Sequence, residues 1–477
     1  MAMNRRKIAA MLLLLGVVAG TIAAPEAGPE PAPFAHRLWA VMDVVREKHP
    51  EPPARADMIR EVVKAVRDAA KVPAPDDLDR RVRGLETREQ FTDYLKDVWP
   101  RGDKAPAAEV LEAAALKGLV LTVPGGVAYW PPQEARVAEQ ISGNRYVGIG
   151  IQLRIHEGDK LPQIVIPFRG GPAHRGGIKP DDLIIEVDGQ GTKDVPLVKV
   201  VEMLRGEEGT TLTVLVRAPG SAETRTVKMT RTVVPFEHVM GYRRASEDAW
   251  DYLIDPKGAI GYVRVDSCSS STPQELRQAE RRLRSQGARA LVLDFRGTRA
   301  DSDLHNGTLL AAALLDDAPL WRQRGVGEQV REFRSGRDCL FRDWPLVVLV
   351  DGLMDSTTEA VAAALQDNGR AVLVGESTRG DGAVISRFSL ADGQGAVVLR
   401  TGRLERVAKG RGWPVEPDHT VWLTETQYRA VAGWLAEKGR PPAPGSAADK
   451  APTDPQVDKA VELLRAALTK ADQGRGR

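Results

Sequence analysis

Cysteine is almost missing from this chain: Cys268 and Cys339 are the only two in 477 residues. Two thiols cannot make a framework of several disulfides, and they do not form a metal-site pattern. Both flank apolar runs and read as separate small core residues, with a single bridge as the alternative in an exported chain. The seven histidines are scattered and none lies in an HExxH pattern. No metal site and no cofactor is therefore expected. Charge imbalance is missing too. Lys and Arg total 67 against 65 Asp and Glu, a net charge of +2. The two signs alternate as on a solvated surface, which predicts no nucleic-acid or membrane-surface partner. Beyond the N-terminus, no apolar run reaches the ~18 residues that a membrane span needs.

What is present begins with an address. Arg5, Arg6 and Lys7 precede an apolar run at 8–18, and small residues follow at 19–24. This order predicts a cleaved export signal over 1–24, and hence a periplasmic or extracellular protein. The alternative is an uncleaved N-terminal anchor, because Pro25 would hinder cleavage just before it. The remaining length is enough for two or three domains. Residues 34–140 read as helical, with apolar stripes at Leu38, Val41, Met42 and Val45, at Met58, Val62, Val63 and Val66, and at Val110, Leu111, Ala114 and Ala115. Residues 141–234 change to short strand-like runs between turn signals. Residues 235–438 alternate strands and helices, an α/β pattern. A Pro/Ala-rich linker at 439–454 leads to an amphipathic helix at 455–472.

Three motifs in the second region stand in order: GIGI at 148–151, GGPAHRGGIKPDDLIIEVDG at 170–189 and LRGEEGT at 204–210. Together they resemble a PDZ domain of the kind carried by the carboxyl-terminal processing, or tail-specific, serine peptidases. Such a domain takes a peptide tail as an added strand on an open sheet edge, and backbone N–H groups capture the terminal carboxylate. The resemblance implies that Gly148 and Gly150 allow close backbone approach, while Ile149 and Ile151 line the pocket for the last side chain. Taken alone, GIGI would read as a glycine-containing strand.

The α/β region contains LVVLVDGLMDSTTEAVAAALQDNGRAVLVGESTRGDGAVI at 346–385. A strand is expected at 346–350, a helix from about 358 to 366, a strand at 371–374 and a Gly-rich loop at 375–382. Further strands are expected at 260–265 and 290–297. Helices are expected from Thr272 or Pro273 to about 285 and from near His305. The segment resembles the active-site region of the same peptidases, and WPVEPDHTV at 413–421 continues the match. The implied fold class is multidomain α/β plus β: a crotonase-like α/β peptidase core, an inserted PDZ domain and a helical N-terminal region.

In that family a Ser at position 356 is the nucleophile, and a Lys 25 residues later is its base. A Ser–Lys dyad needs a positioned hydroxyl, a Lys kept neutral near pH 7 and donors facing the oxyanion. Ser356 meets the first by resemblance. It also suits a helix N-cap, with Glu359 at capping-box spacing. The Lys position is Asp381, and no Lys occurs between Ser356 and Lys409. The family's orienting Gln, four residues on, is Ile385. Ala300 and Asp301 stand where the family has a Gly-Gly pair that helps form the oxyanion hole. His305 could replace the base, with Asp381 or Asp301 orienting it; His419 and His174 have weaker claims. The expected function is recognition of protein or peptide C-termini with proteolysis impaired. The alternatives are an active serine endopeptidase using Ser356 and His305, or a scaffold or decoy for an active relative.

Overall fold

The computed structural model describes residues 31–102, 105–142, 146–168, 170–234, 237–246, 249–298, 304–437 and 452–475. The export segment 1–24, Ala300, Asp301 and most of the 439–454 linker lie outside them. The chain divides into two compact units, one made of residues up to Trp39 with Arg55–Thr122, the other of Ala40–Ala54 with Val123 onward.

The elements of the first unit are the start of α1 (Ala32–Lys48), α2 (Arg55–Ala69), α3 (Leu78–Arg83), α4 (Arg88–Val98) and α5 (Ala108–Thr122). α2 buries Met58, Ile59, Val62, Val63 and Val66, one helical face. α5 crosses it at Gly118, where a Cβ would stand 2.5 Å from the Glu61 carbonyl. The stripe expected at 110–115 is narrower than its pattern: Leu111 and Ala115 are buried, but Val110 is 51% exposed.

The second unit opens with β1 (Val127–Trp130), α6 (Pro132–Ser142) and β2 (Tyr146–Gly148). A small β-sheet domain follows: β3 (Ile151–Ile155), β4 (Pro162–Pro167), α7 (Pro172–Arg175), β5 (Leu183–Val187), β6 (Gln190–Gly191), α8 (Leu197–Leu204), β7 (Thr211–Arg217) and β8 (Thr224–Thr230). β9 (Thr232–Val234) returns to pair with β2. The sheet order is β3-β4-β5-β7-β8, so β3 is an edge strand. Ile149, Ile164, Ile184, Val200, Leu204, Leu212 and Val214 form its core.

Four short strands, β10 (Val239–Met240), β11 (Arg243–Ser246), β12 (Ala249–Asp251) and β13 (Leu253–Asp255), lead into the α/β layer. Its elements are β14 (Ile260–Val265), α9 (Thr272–Ser285), β15 (Ala290–Asp294), α10 (Leu304–Leu314), β16 (Pro319–Arg324), β17 (Val330–Arg334), β18 (Leu346–Val350), α11 (Ser356–Asp367), β19 (Val372–Gly375), β20 (Ala383–Ser389), β21 (Ala396–Glu405), β22 (His419–Thr420), α12 (Glu425–Glu437) and α13 (Pro455–Arg475). β14, β15, β18, β19 and β22 are parallel neighbours in that order. β15 and β18 are buried along their whole length, as expected of parallel strands covered on both faces. α9, α10 and α11 cover one face through Leu276, Leu310 and Val361. α13 covers the other through Ala460, Leu464 and Leu468. A second sheet, β1-β21-β16-β17 with β20 on β21, carries the glycine-rich loop's exit. β1 thus lies within a stretch whose sequence reads as helical. Cys268 and Cys339 are free thiols, the first buried and the second half-buried.

Candidate active site

The site grows from the carboxyl ends of β15 and β18, where side chains in an open α/β sheet converge on a crevice. Gly297, just past β15, donates its N–H to Asp351 Oδ1 at 3.0 Å. Thr298 Oγ1 lies 2.6 Å from Thr358 Oγ1 and accepts from the Asp355 N–H at 3.2 Å. These bonds join the loop after β15 to the first turn of α11. Gly307 of α10 packs against the same turn, since a Cβ there would overlap the Thr357 methyl group.

Ser356 is the first helical residue of α11, not its N-cap. Asp355 is the cap: its Oδ1 accepts from Thr357 N at 2.6 Å and Thr358 N at 3.1 Å. The capping box expected between Ser356 and Glu359 is therefore not formed. Both Asp and Ser make good caps, and the register shift of one residue leaves the Ser356 hydroxyl half-buried, bonded to no described residue. Glu359 turns inward instead. It accepts from the Thr378 hydroxyl and, at 3.0 Å, from Gly380 N. A Cβ on Gly380 would fall inside that carboxylate, so any side chain there must displace it. Glu359 thus ties the Gly-rich loop to α11 one turn beyond Ser356.

Asp381 sits next in that loop. Its carboxylate pairs with Arg400 on β21 and accepts from Ala383 N at 3.0 Å. Partial burial works against its charge, but Arg400 outweighs this and holds the carboxyl below its ordinary value. Ile385, on β20, lies opposite Arg400 in the strand pair and is 41% exposed. His305, the second residue of α10, is exposed. It stands two residues, ~200° around the helix, from the Gly307 face that meets α11. No hydrogen bond joins His305 to Ser356 or Asp381 among the described residues. His174 lies in α7 and His419 in β22, away from the first turn of α11 in sequence and element.

The surrounding carboxyls are costly to ionise. Burial pushes Asp355 up to about 6, against the hydrogen bonds from Thr358 and Thr357. Burial also raises Asp351 and Glu359. Among the described residues, no group of three His, Cys, Asp or Glu is placed to hold a metal ion.

In the small β domain, Gly148, Ile149 and Gly150 are buried and Ile151 begins the edge strand β3. Gly150 has φ +73°, and a Cβ would stand 2.9 Å from Val234 Cγ1. The Ile149 and Gly150 carbonyls accept from Ala173 N at 2.8 Å and Phe168 N at 2.7 Å. Their own N–H groups donate to no backbone carbonyl among the described residues. α8 packs over β3, whose outer edge pairs with no other strand among the described residues.

Asp355, Asp351 and Arg400 escaped the sequence reading. Asp355 had a signal, an Asp just before a helical pattern. Arg400 had none, because its partnership depends on a strand pairing.

Ser356 thus stands at a strand-to-helix turn of a parallel sheet, in the same unit as a β domain with β3 at its edge. Residues 259–421 match the family model described as Peptidase family S41, and residues 137–217 match that of the PDZ domain. The chain thus joins a region similar to the S41 peptidases to a region similar to PDZ domains. It is similar to a carboxyl-terminal-processing protease of Picosynechococcus, 31% identical over 56% of this chain and 62% of the relative. It is also similar to a chloroplastic C-terminal processing peptidase of Tetradesmus obliquus, 33% identical over 53% of this chain and 54% of the relative. The alignments therefore span about half to three fifths of these relatives' length. Among solved structures, a photosystem II D1 C-terminal processing protease is 24% identical, over 83% of this chain and 99% of that one, with a TM-score of 0.40. No helix among the described residues is long and apolar enough to cross a membrane.

Proposed function

We propose that this chain binds protein or peptide C-termini through its PDZ domain and holds them beside an S41-type pocket that does not cleave them efficiently. One observation carries the impaired half of this reading: Asp381, at the position of the family's lysine, is committed to Arg400. A carboxylate held below its ordinary pKa has little capacity to take a proton from a hydroxyl. Ile385 has no side-chain group that could orient a base. The His305 alternative gains no support from an exposed ring on the far side of α10. Tail capture is supported by the open β3 edge and by the N–H groups of Ile149 and Gly150.

Binding is tested with fluorescent peptides bearing either a free or an amidated C-terminus. Binding of the free acid that amidation weakens at least ~10-fold is expected, in line with loss of a charged hydrogen-bond partner. Equal affinity for the amide contradicts tail capture. The export expectation stands as part of the proposal. It requires a mature N-terminus near residue 25 on sequencing of the native protein, and an intact 1–24 segment contradicts it.

A further inference from the structure

The backbone donors around Ser356 are already occupied by this chain's own carboxylates. Thr357 N and Thr358 N go to Asp355 Oδ1 at 2.6 and 3.1 Å. Gly297 N and Leu353 N both go to Asp351 Oδ1 at 3.0 Å. Gly380 N goes to Glu359. The Thr357 N–H matters most. It follows Ser356 directly and lies in the first turn of a twelve-residue helix, where donors and dipole favour negative charge. An oxyanion formed on a group acylating Ser356 would draw on that donor.

Asp355 is more deeply placed than a helix cap requires. It is 8% exposed, and its second oxygen, Oδ2, is buried with no hydrogen-bond partner among the described residues. A Ser cap would give similar hydrogen bonding without burying a carboxylate. An unpartnered buried carboxylate oxygen costs free energy, so capping alone does not account for it.

We propose that Asp355 is a built-in anion seated in the oxyanion site of Ser356, closing the pocket to acyl transfer independently of the missing lysine. This rests on the reading of Ser356 as the residue at the nucleophile position. The displaced function is concrete. The Thr357 N–H cannot stabilise an incoming oxyanion while it holds the Asp355 carboxylate, and two anions would repel at that spot. Asp355 is thus a positioning residue that sets the reactivity of Ser356 without touching a substrate.

The test uses an alkyl fluorophosphonate. Ser356 Oγ forms a bond to phosphorus, fluoride leaves, the hydroxyl proton passes to solvent, and the phosphoryl oxygen needs the same donors. Labelling rates are measured for full-length wild type and Asp355→Gly. They are also measured for both in an Asp381→Lys/Ile385→Gln background. Gly keeps helix capping nearly intact while vacating the donors. Asp355→Asn, which keeps an acceptor on them without the charge, is the second variant. Asp355→Gly is expected to raise labelling at least ~10-fold in one background or both, the scale of a recovered oxyanion donor. Asp355→Asn, which removes the repulsion but keeps the donors occupied, is expected to fall between its parent and Asp355→Gly, and Ser356→Ala to abolish labelling. Folding is checked by circular dichroism. Unchanged labelling in Asp355→Gly in both backgrounds overturns the proposal, as does labelling that falls. A wild type that is labelled readily and cleaves substrate instead overturns the impaired-peptidase reading, a result distinguishable from the first.

Discussion

Asp355 bears its charge at neutral pH against its surroundings. Its carboxyl is pushed up to about 6 in the fold, against an ordinary value near 3.8. A folded-state pKa above the unfolded one means that the native state binds the proton more tightly. The contribution is therefore neutral below about pH 4, and stability is lost as pH rises from 4 through 6. The full penalty above that window is on the order of 3 kcal/mol at most. Asp355→Asn keeps the cap and removes the charge. It should melt at a higher temperature than wild type at pH 7.5, and the two should converge below pH 4. A difference that is unchanged between pH 4 and 7.5 contradicts the shift. Gly380 makes a second residue-scale prediction. Ala there meets the Glu359 carboxylate, so Gly380→Ala should displace the loop and destabilise the core by roughly 2 kcal/mol, read in urea unfolding. Equal midpoints would show that the loop yields freely. At this scale the sequence displayed which residues stand at positions 381 and 385, because Asp381 and Ile385 follow from counting positions. What those and the neighbouring residues bond to was not legible. Arg400 reaches Asp381 only through the β20–β21 pairing, and Asp355 and Ser356 are equally good caps until the fold chooses between them.

Elements with strong local patterns came through to the residue. The strands at Ile260–Val265 and Leu346–Val350 and the helix at Thr272–Ser285 have the limits that their apolar runs and caps imply. α11 begins two residues earlier than its pattern because the Asp355 cap lies upstream of the apolar stripe. β1 was illegible, since four residues become a strand only by meeting β21, with Val127 opposite Leu399. The edge strand β3 leads to a prediction about binding. Gly150 needs φ +73° and has no room for a side chain. Gly150→Val should weaken binding of a free C-terminal peptide at least ~10-fold, without moving the melting transition of the α/β core. Undiminished binding would place tail capture elsewhere. α13 is anchored by Arg296, buried between Asp294 and Asp454 with Gln456 at 2.8 Å. Burial works against the Asp294 charge, but Arg296 prevails and holds its carboxyl well below the usual range. Arg296→Met strands that carboxylate and should cost about 3 kcal/mol, read as a lower core melting temperature. An unchanged melting temperature would show that Arg264 and Tyr262 suffice to hold Asp294.

On the scale of the whole molecule, the chain combines a region similar to the S41 peptidases with a PDZ-like domain that has β3 at its sheet edge, and Ser356 is surrounded by carboxylates. The family and the fold class were legible because motifs spread over ~270 residues agree with one another. Activity was not, because it depends on where a few hydroxyls, carboxylates and N–H groups meet. The most direct measurement is incubation of the mature protein with an unfolded substrate carrying a C-terminal recognition tag, beside Ser356→Ala and a substrate whose tag is blocked. The account predicts that wild type retains the tagged substrate and yields no more product than Ser356→Ala. Tail-dependent cleavage by wild type that disappears in Ser356→Ala would contradict it.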